Sequence, residues 1–335
     1  MEPDELFLPG LHIGHAQDED ALTGCTVILC EDGAVGGVDQ RGGAPGTRQT
    51  DALYPMHLVE RVHAVVLAGG SAFGLDAASG AVRYLEERQV GFDVGIARVP
   101  IVPSAILFDL GIGRADVRPD AAMGYQACLN ARPGYPTEGN VGVGTGATVG
   151  KILGVAGAMK SGFGCARIQI NAEIIVCALS AVNAFGDIID PTSGEIIAGA
   201  RSTDPDRLSA DPHDKFANTL KVMQFMAGQP AMRFGRGENT VIGVVATNAQ
   251  LTKEQTNKVA QMAHDGLART VRPAHTMLDG DTIFALSIGS QQADVNLIGA
   301  FAAEAFAQSV LRAVRTAQPA GGLPSVSSLN QSFER

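Results

Sequence analysis

The sequence predicts a mixed α+β fold, and three observations carry that expectation. Apolar β-type runs separated by turn signals fill the first part of the chain, a strand–helix–strand–helix order follows Thr240, and the 41 glycines cluster at the ends of apolar runs rather than in a repeat. The 335 residues are 45% hydrophobic and 18% charged, which supplies an ample core. No Pro/Ser-rich or charge-run linker divides them, so a single composite domain, 1–335, is expected.

The elements follow from local pattern. Cys25–Cys30, Ala34–Gln40 and His63–Gly70 are β-rich and turn-bounded, reading as hairpins and a buried strand. From Ser71, a possible cap, Phe73, Ala77, Ala78, Val82 and Leu85 recur near helical spacing. A strand-rich stretch covers Val94–Asp109, a helix starts near Pro119, and the apolar runs on either side of Asn171 form a hairpin. Asp190–Glu238 holds polar segments and a short helix around Phe216–Met226, and its approach to Asn239 resembles an exposed, cuttable loop.

After that the pattern tightens. Val241–Thr247 is a continuous strand, Thr252-x-x-Gln255 is a capping box, and Val259, Ala263, Leu267 and Val271 mark a helix that Pro273 ends. Asp279–Ile288 is the next strand and Ala293–Ala317 a long helix lying between layers; Gln318–Arg335 reads as a loose tail.

Charge and composition exclude several classes. A net charge of −10 leaves no basic stripe for nucleic acid. The acidic start lacks the pattern of a signal peptide and no apolar run looks long enough to span a bilayer, so a cytoplasmic protein is expected. Cys25, Cys30, Cys128, Cys165 and Cys177 are odd in number and scattered, which suits buried free thiols. The seven histidines show no ligand spacing, and no metal or other cofactor is expected. The GGSAFG run at Gly69–Gly74 matches no phosphate-binding fingerprint and reads as close strand–helix packing.

On its own, a threonine opening an apolar strand after a polar loop, as Thr240 does after Asn239, is an ordinary β-branched strand residue. Six segments in order make it more: TGCTVILC (Thr23–Cys30), VVLAGGSAFGLDAASG (Val65–Gly80), PSAILFDL (Pro103–Leu110), GNVGVGTGATVGK (Gly139–Lys151), NTVIGVVATNA (Asn239–Ala249) and RPAHTMLDGDTIFAL (Arg272–Leu286). Together they resemble the beta-peptidyl aminopeptidase / L-aminopeptidase D-esterase family, over nearly all of Leu11–Val314, and within it the nylon-oligomer hydrolase branch. The resemblance implies an αββα layered sandwich of N-terminal-nucleophile type. It also implies a precursor that cuts itself between Asn239 and Thr240 into chains 1–239 and 240–335, and a tetramer of the processed units. It places the nucleophile at Thr240, with Lys151, Asn183, Asp279 and Asp281 assisting. Activity on amide bonds of small peptides, β-peptides, amino-acid amides or ω-amino-acid oligomers is the corresponding expectation.

The chemistry explains why such residues are needed. A threonine hydroxyl is a weak nucleophile without a base in reach, and cutting before Thr240 frees an α-amine of reference pKa about 7.7–8.0 that supplies one. Asn183 is the candidate donor to a tetrahedral oxyanion, Lys151 orients the nucleophile or keeps the amine neutral, and Asp279 and Asp281 share one face of a strand beside the freed amine. Blander readings stand beside these: a turn asparagine, a surface lysine, and a solvated Asp-Gly turn. Two other functions also stay open, an acyltransferase passing the same acyl group to an amine, and a scaffold that keeps the fold uncut.

Overall fold

The computed structural model describes residues 6–201, 215–227 and 239–333. One continuous nine-stranded sheet runs through it, built from β1 (His12–Asp18), β2 (Thr23–Gln40), β3 (Thr47–Arg48), β4 (Arg61–Ala68), β5 (Ser104–Ile106), β6 (Phe163–Gln169), β7 (Ile175–Asn183), β8 (Thr240–Ala249) and β9 (Thr282–Gln291). The spatial order is β6-β7-β8-β9-β2-β4-β5-β3, with β1 also paired to β2.

Strand β2 turns this sheet into two layers. Its first half pairs with β1 and β4, its second half with β9, and its register with β4 breaks between Leu29 and Ala34. A bulge of this kind bends a strand and adds twist. The expected hairpin between Cys30 and Ala34 is therefore absent, because Glu31–Gly33 is taken up as a bulge inside one strand.

Period-two alternation then sorts the side chains. Ile242, Val244 and Ala246 of β8, Leu179 and Ala181 of β7, and Phe284 and Leu286 of β9 share one core with Val65 and Leu67 of β4, between the two sheet layers. The alternate residues Val241, Val245, Ile283 and Ala285 face the helices α4 (Lys253–Thr270) and α5 (Val295–Thr316). On the other outer face, Ala64, Val66 and Ala68 of β4 pack against α1 (Ala77–Glu86) and α2 (Ala121–Leu129). Helix, sheet, sheet, helix is the resulting order, as the resemblance implied.

Helix α4 connects β8 to β9, the kind of crossover their parallel pairing requires. It opens with the full capping box, Thr252 accepting from Gln255 N and Gln255 reaching back to Thr252 N. Helix α5 is long and apolar enough to cross a membrane by length and composition, which the sequence reading overlooked, but 67% of its most apolar window is buried inside the fold.

Three other expectations need correction. Ser71 caps no helix: it has φ 54°, follows Gly70 at φ 77°, and opens a 3-10 turn before α1, whose N-cap position is Asp76. The Val94–Asp109 stretch holds only Arg98–Val99 and Ser104–Ile106 as strand. The C-terminal segment is docked rather than loose, since Pro324 accepts from Lys160 N, Leu323 and Ser325 are buried, and a helix follows at Val326–Phe333. The short helix expected near Phe216 is α3 (Thr219–Ala227), whereas the polar run at 204–214 and the approach at 228–238 lie outside the described residues. All five cysteines are buried free thiols, and burial pushes Cys30 and Cys128 up to about 12.

Candidate active site

Strand β8 begins at Thr240, directly opposite Asn183, the last residue of β7. Both share the parity of the residues that enter the inter-sheet core, so the two side chains are delivered to one end of the space between the sheets. The Thr240 hydroxyl donates to the carbonyl of Asn239. That carbonyl also accepts from Gly280 N at 2.8 Å, and Asn239 N donates to Leu278 O at 2.9 Å.

The bond between these residues is not in an exposed loop. Asn239 is 1% and Thr240 3% exposed, because pairing with the segment before β9 starts one residue ahead of β8 itself, at the Asn239–Asp279 bridge. A buried backbone group must be paired, and here it is paired with Leu278 and Gly280.

Asn183 is fully buried and its amide is held at both ends. Its Oδ1 accepts from Lys151 Nζ at 2.7 Å and from Thr148 N at 3.1 Å, and its Nδ2 donates to Phe108 O at 2.8 Å. The lysine, a pure donor, settles which end of the amide is oxygen. Lys151 makes a second bond to Asn183 O at 2.9 Å. Its stem is half-buried while its ammonium is enclosed, and that loss of water lowers its pKa to about 7 against the opposing pull of Asp279 and Asp109. Lys151 is thus no surface lysine, and its contacts run to Asn183 rather than to the Thr240 hydroxyl.

The two aspartates precede β9 instead of alternating within it, since that strand starts at Thr282. Their carboxylates consequently have different partners. Asp281 Oδ1 accepts from Val241 N at 2.8 Å, which ties it to the residue after Thr240, and its Oδ2 accepts from His275 N at 3.0 Å and sits 2.8 Å from His275 Nδ1. Asp279 Oδ2 accepts from Thr276 N at 2.8 Å and from the Thr276 hydroxyl at 2.5 Å. Burial, reinforced by the neighbouring Asp281, raises the Asp279 pKa, while the Thr276 bonds and Lys151 oppose the rise.

His275 and Thr276 were passed over in the sequence reading, although both stand in the RPAHTMLDGDTIFAL segment. The usable signal was their closeness to Asp-Gly-Asp: one adjacent pair clamps both carboxylates, with His275 at φ 58° so that its amide and ring converge on the same oxygen. The His275 ring stacks edge-on against His264, 4.9 Å away, which burial keeps neutral.

Behind the site, Asp109 accepts from Gly70 N at 2.6 Å and from the Thr23 hydroxyl at 2.7 Å, and burial raises its pKa. A Cβ at Gly69 would lie 2.0 Å from Asp109 Oδ2, so the glycine pair serves close packing. A recess of about 40 Å³ between Phe108, Ile112, Thr148 and Val155 reaches Lys151. Among the described residues no group of three or more His, Cys, Asp or Glu is placed to hold a metal ion.

Known proteins resemble this chain over nearly its whole length. A family model described as peptidase family S58 matches residues 8–326. An uncharacterized aminopeptidase of Mycobacterium tuberculosis is 41% identical, with 94% of each chain covered. A 6-aminohexanoate-oligomer endohydrolase of Kocuria is 31% identical over 92% of this chain and 84% of its own. Among solved structures, a Burkholderia beta-aminopeptidase superposes with a TM-score of 0.69 at 17% identity, covering 98% of this chain and 93% of its own. The L-aminopeptidase D-Ala-esterase/amidase of Ochrobactrum anthropi, described as a variant of the Ntn hydrolase fold, superposes at 0.67 with 18% identity, covering 98% and 92%.

Proposed function

The chain belongs to peptidase family S58 and is an amide-bond hydrolase, and on that premise we propose that Thr240 is its nucleophile, first against its own Asn239 carbonyl and then against substrate. The observation that carries the proposal is the Thr240 hydroxyl lying on the carbonyl of the residue before it, in a buried site facing Asn183.

In the self-cleaving step the Thr240 oxygen adds to the Asn239 carbonyl carbon. The C–N bond breaks as the departing nitrogen takes a proton, and water hydrolyses the resulting ester. The products are chains 1–239 and 240–335. In the processed enzyme the Thr240 α-amine accepts the hydroxyl proton, the substrate acyl group is carried on the Thr240 oxygen, and water releases it.

Asn183 donates to the substrate oxyanion through the Nδ2 hydrogen not directed at Phe108 O, and Lys151 positions that amide. Asp281, through Val241 N, holds the start of β8, and Asp279 with its raised pKa lies on the side of the new amine. Short amide-linked compounds are the proposed substrates, small peptides and 6-aminohexanoate oligomers among them, and a homo-oligomer, a tetramer of cut units, is the proposed assembly.

Intact mass and N-terminal sequencing of the purified chain, beside Thr240→Ala, test the reading. Fragments of roughly 25 and 10 kDa by length scaling, the smaller starting at Thr240, with the variant whole, are expected. A folded wild-type chain that stays whole rejects it.

A further inference from the structure

We propose that the backbone N–H of Gly280 is the oxyanion donor of self-cleavage, a task separate from that of Asn183 in substrate hydrolysis; the inference rests on the reading of Thr240 as a self-cleaving nucleophile. The parallel pairing of β8 with β9 extends backwards past Ile242–Thr282 to the Asn239–Asp279 bridge. That extension sets Gly280 N at 2.8 Å from Asn239 O, the oxygen that becomes an oxyanion when Thr240 adds to the carbonyl. In the uncut chain the Asn183 Nδ2 hydrogen bond runs to Phe108 O, whereas Gly280 N already donates to Asn239 O.

The donor is held in place before the reaction begins. Asp279 and Asp281 on either side are clamped by Thr276 and His275, and their carbonyls accept from Ala44 N at 2.8 Å and Arg41 N at 3.0 Å. A donor fixed at the place where charge develops needs no reorganisation. Glycine is required as well: a Cβ at 280 would lie 2.9 Å from the Thr240 hydroxyl oxygen and 2.7 Å from Ala44 O, against the nucleophile itself. In the step, the Thr240 O–C bond forms and the carbonyl π electrons move to Asn239 O, where they meet the Gly280 N–H. They return as the C–N bond breaks and the hydroxyl proton ends on the Thr240 nitrogen.

The test replaces residue 280 with glycolic acid by nonsense suppression, exchanging the N–H for an ester oxygen while adding no side chain. Appearance of the Thr240 N-terminus is timed after synthesis, beside wild type and a control ester at Ala285 in the body of β9. Cleavage slower by about 10²–10³-fold in the 280 ester alone is expected, the usual cost of losing an oxyanion donor. Equal rates in the two esters overturn the proposal for Gly280 and leave the Thr240 reading standing, whereas a folded wild type that stays uncut removes the Thr240 reading itself. Should the 280 ester not fold, the bond is read in the Thr240→Ala chain labelled with 13C-carbonyl Asn and 15N-Gly. A coupling across the hydrogen bond between Asn239 carbon and Gly280 nitrogen is expected, and its absence overturns the assignment.

Discussion

The two flanks of Thr240 are built on opposite principles. On the β7 side, Lys151 sits against neutral oxygens, the Asn183 carbonyl and amide, and its pKa is lowered to about 7 by lost hydration. On the β9 side, two carboxylates are held by backbone and side-chain donors of one turn, His275 and Thr276. A charge governed by desolvation responds to pH and to side-chain length. Charges governed by a turn respond to its geometry. The basic flank is therefore tuned near neutrality, and the acidic flank is tuned by the 275–281 backbone.

Substitutions separate the two designs. The largest effect belongs to neither flank: Thr240→Ala leaves a whole chain in denaturing electrophoresis and no amidase activity. Lys151→Met is next, lowering the rates of substrate hydrolysis by about 10²-fold, the scale of losing an oriented oxyanion donor, while self-cleavage, whose donor is Gly280 N, slows less. Lys151→Arg does not restore them, because a guanidinium stays charged and carries a different fork of donors; recovery of wild-type rates with arginine would break the desolvation argument.

The pH dependence of stability sharpens the same contrast. Lys151 titrates at about 7 folded against 10.5 unfolded, so between these values the unfolded chain binds more protons, and stability rises with pH across that window. Below about 7 both states are protonated and the cost of the buried ammonium is fully present. Denaturant midpoints from pH 7 to 10 should rise less steeply in Lys151→Met than in wild type, with Lys160, also lowered to about 7 by burial, supplying the remaining slope.

On the acidic flank, His275→Ala removes one side-chain donor from Asp281 and keeps the backbone one. About 10-fold slower cleavage is expected, matching a charge-assisted bond of about 1.5 kcal/mol. Time courses of cleavage at fixed pH check it. The smallest effect is Thr252→Ala, at the capping box of α4 and away from both flanks: about 1 kcal/mol of stability lost in urea titration, with cleavage rate unchanged. A cleavage defect there would mean that the site depends on the whole β8–α4–β9 unit.

Much of this was legible in residues. The continuous apolar run of β8, the capping box of α4, the hairpin at Asn171 and the apolar length of α5 are local patterns, and local patterns survive folding. Misreadings fell where geometry is not local. A bulge at Glu31–Gly33 looks like a turn in sequence, and Ser71 looks like a cap although its backbone is left-handed. The approach to Asn239 reads as a cuttable loop, yet the Asn239–Thr240 bond is buried, because its partners, Leu278 and Gly280, lie some forty residues away. His275 and Thr276 went unassigned for a related reason, since nothing in spacing says that one pair serves two aspartates on different acceptor oxygens.

The sequence by itself determined the chemistry available: a threonine at a strand start, a lysine in a glycine-rich segment, an asparagine ending an apolar run, and two aspartates around a glycine. The six segments, which carry all of these but the asparagine, taken in order resemble one family closely enough to imply the class of reaction. Only the tertiary structure decided how they meet. Strand register opposes Thr240 to Asn183, and a parallel bridge lays Gly280 on the Asn239 carbonyl. Enclosure brings Lys151 to about 7. The reason is physical: register, burial and desolvation are properties of contacts between distant segments, and no residue carries them alone.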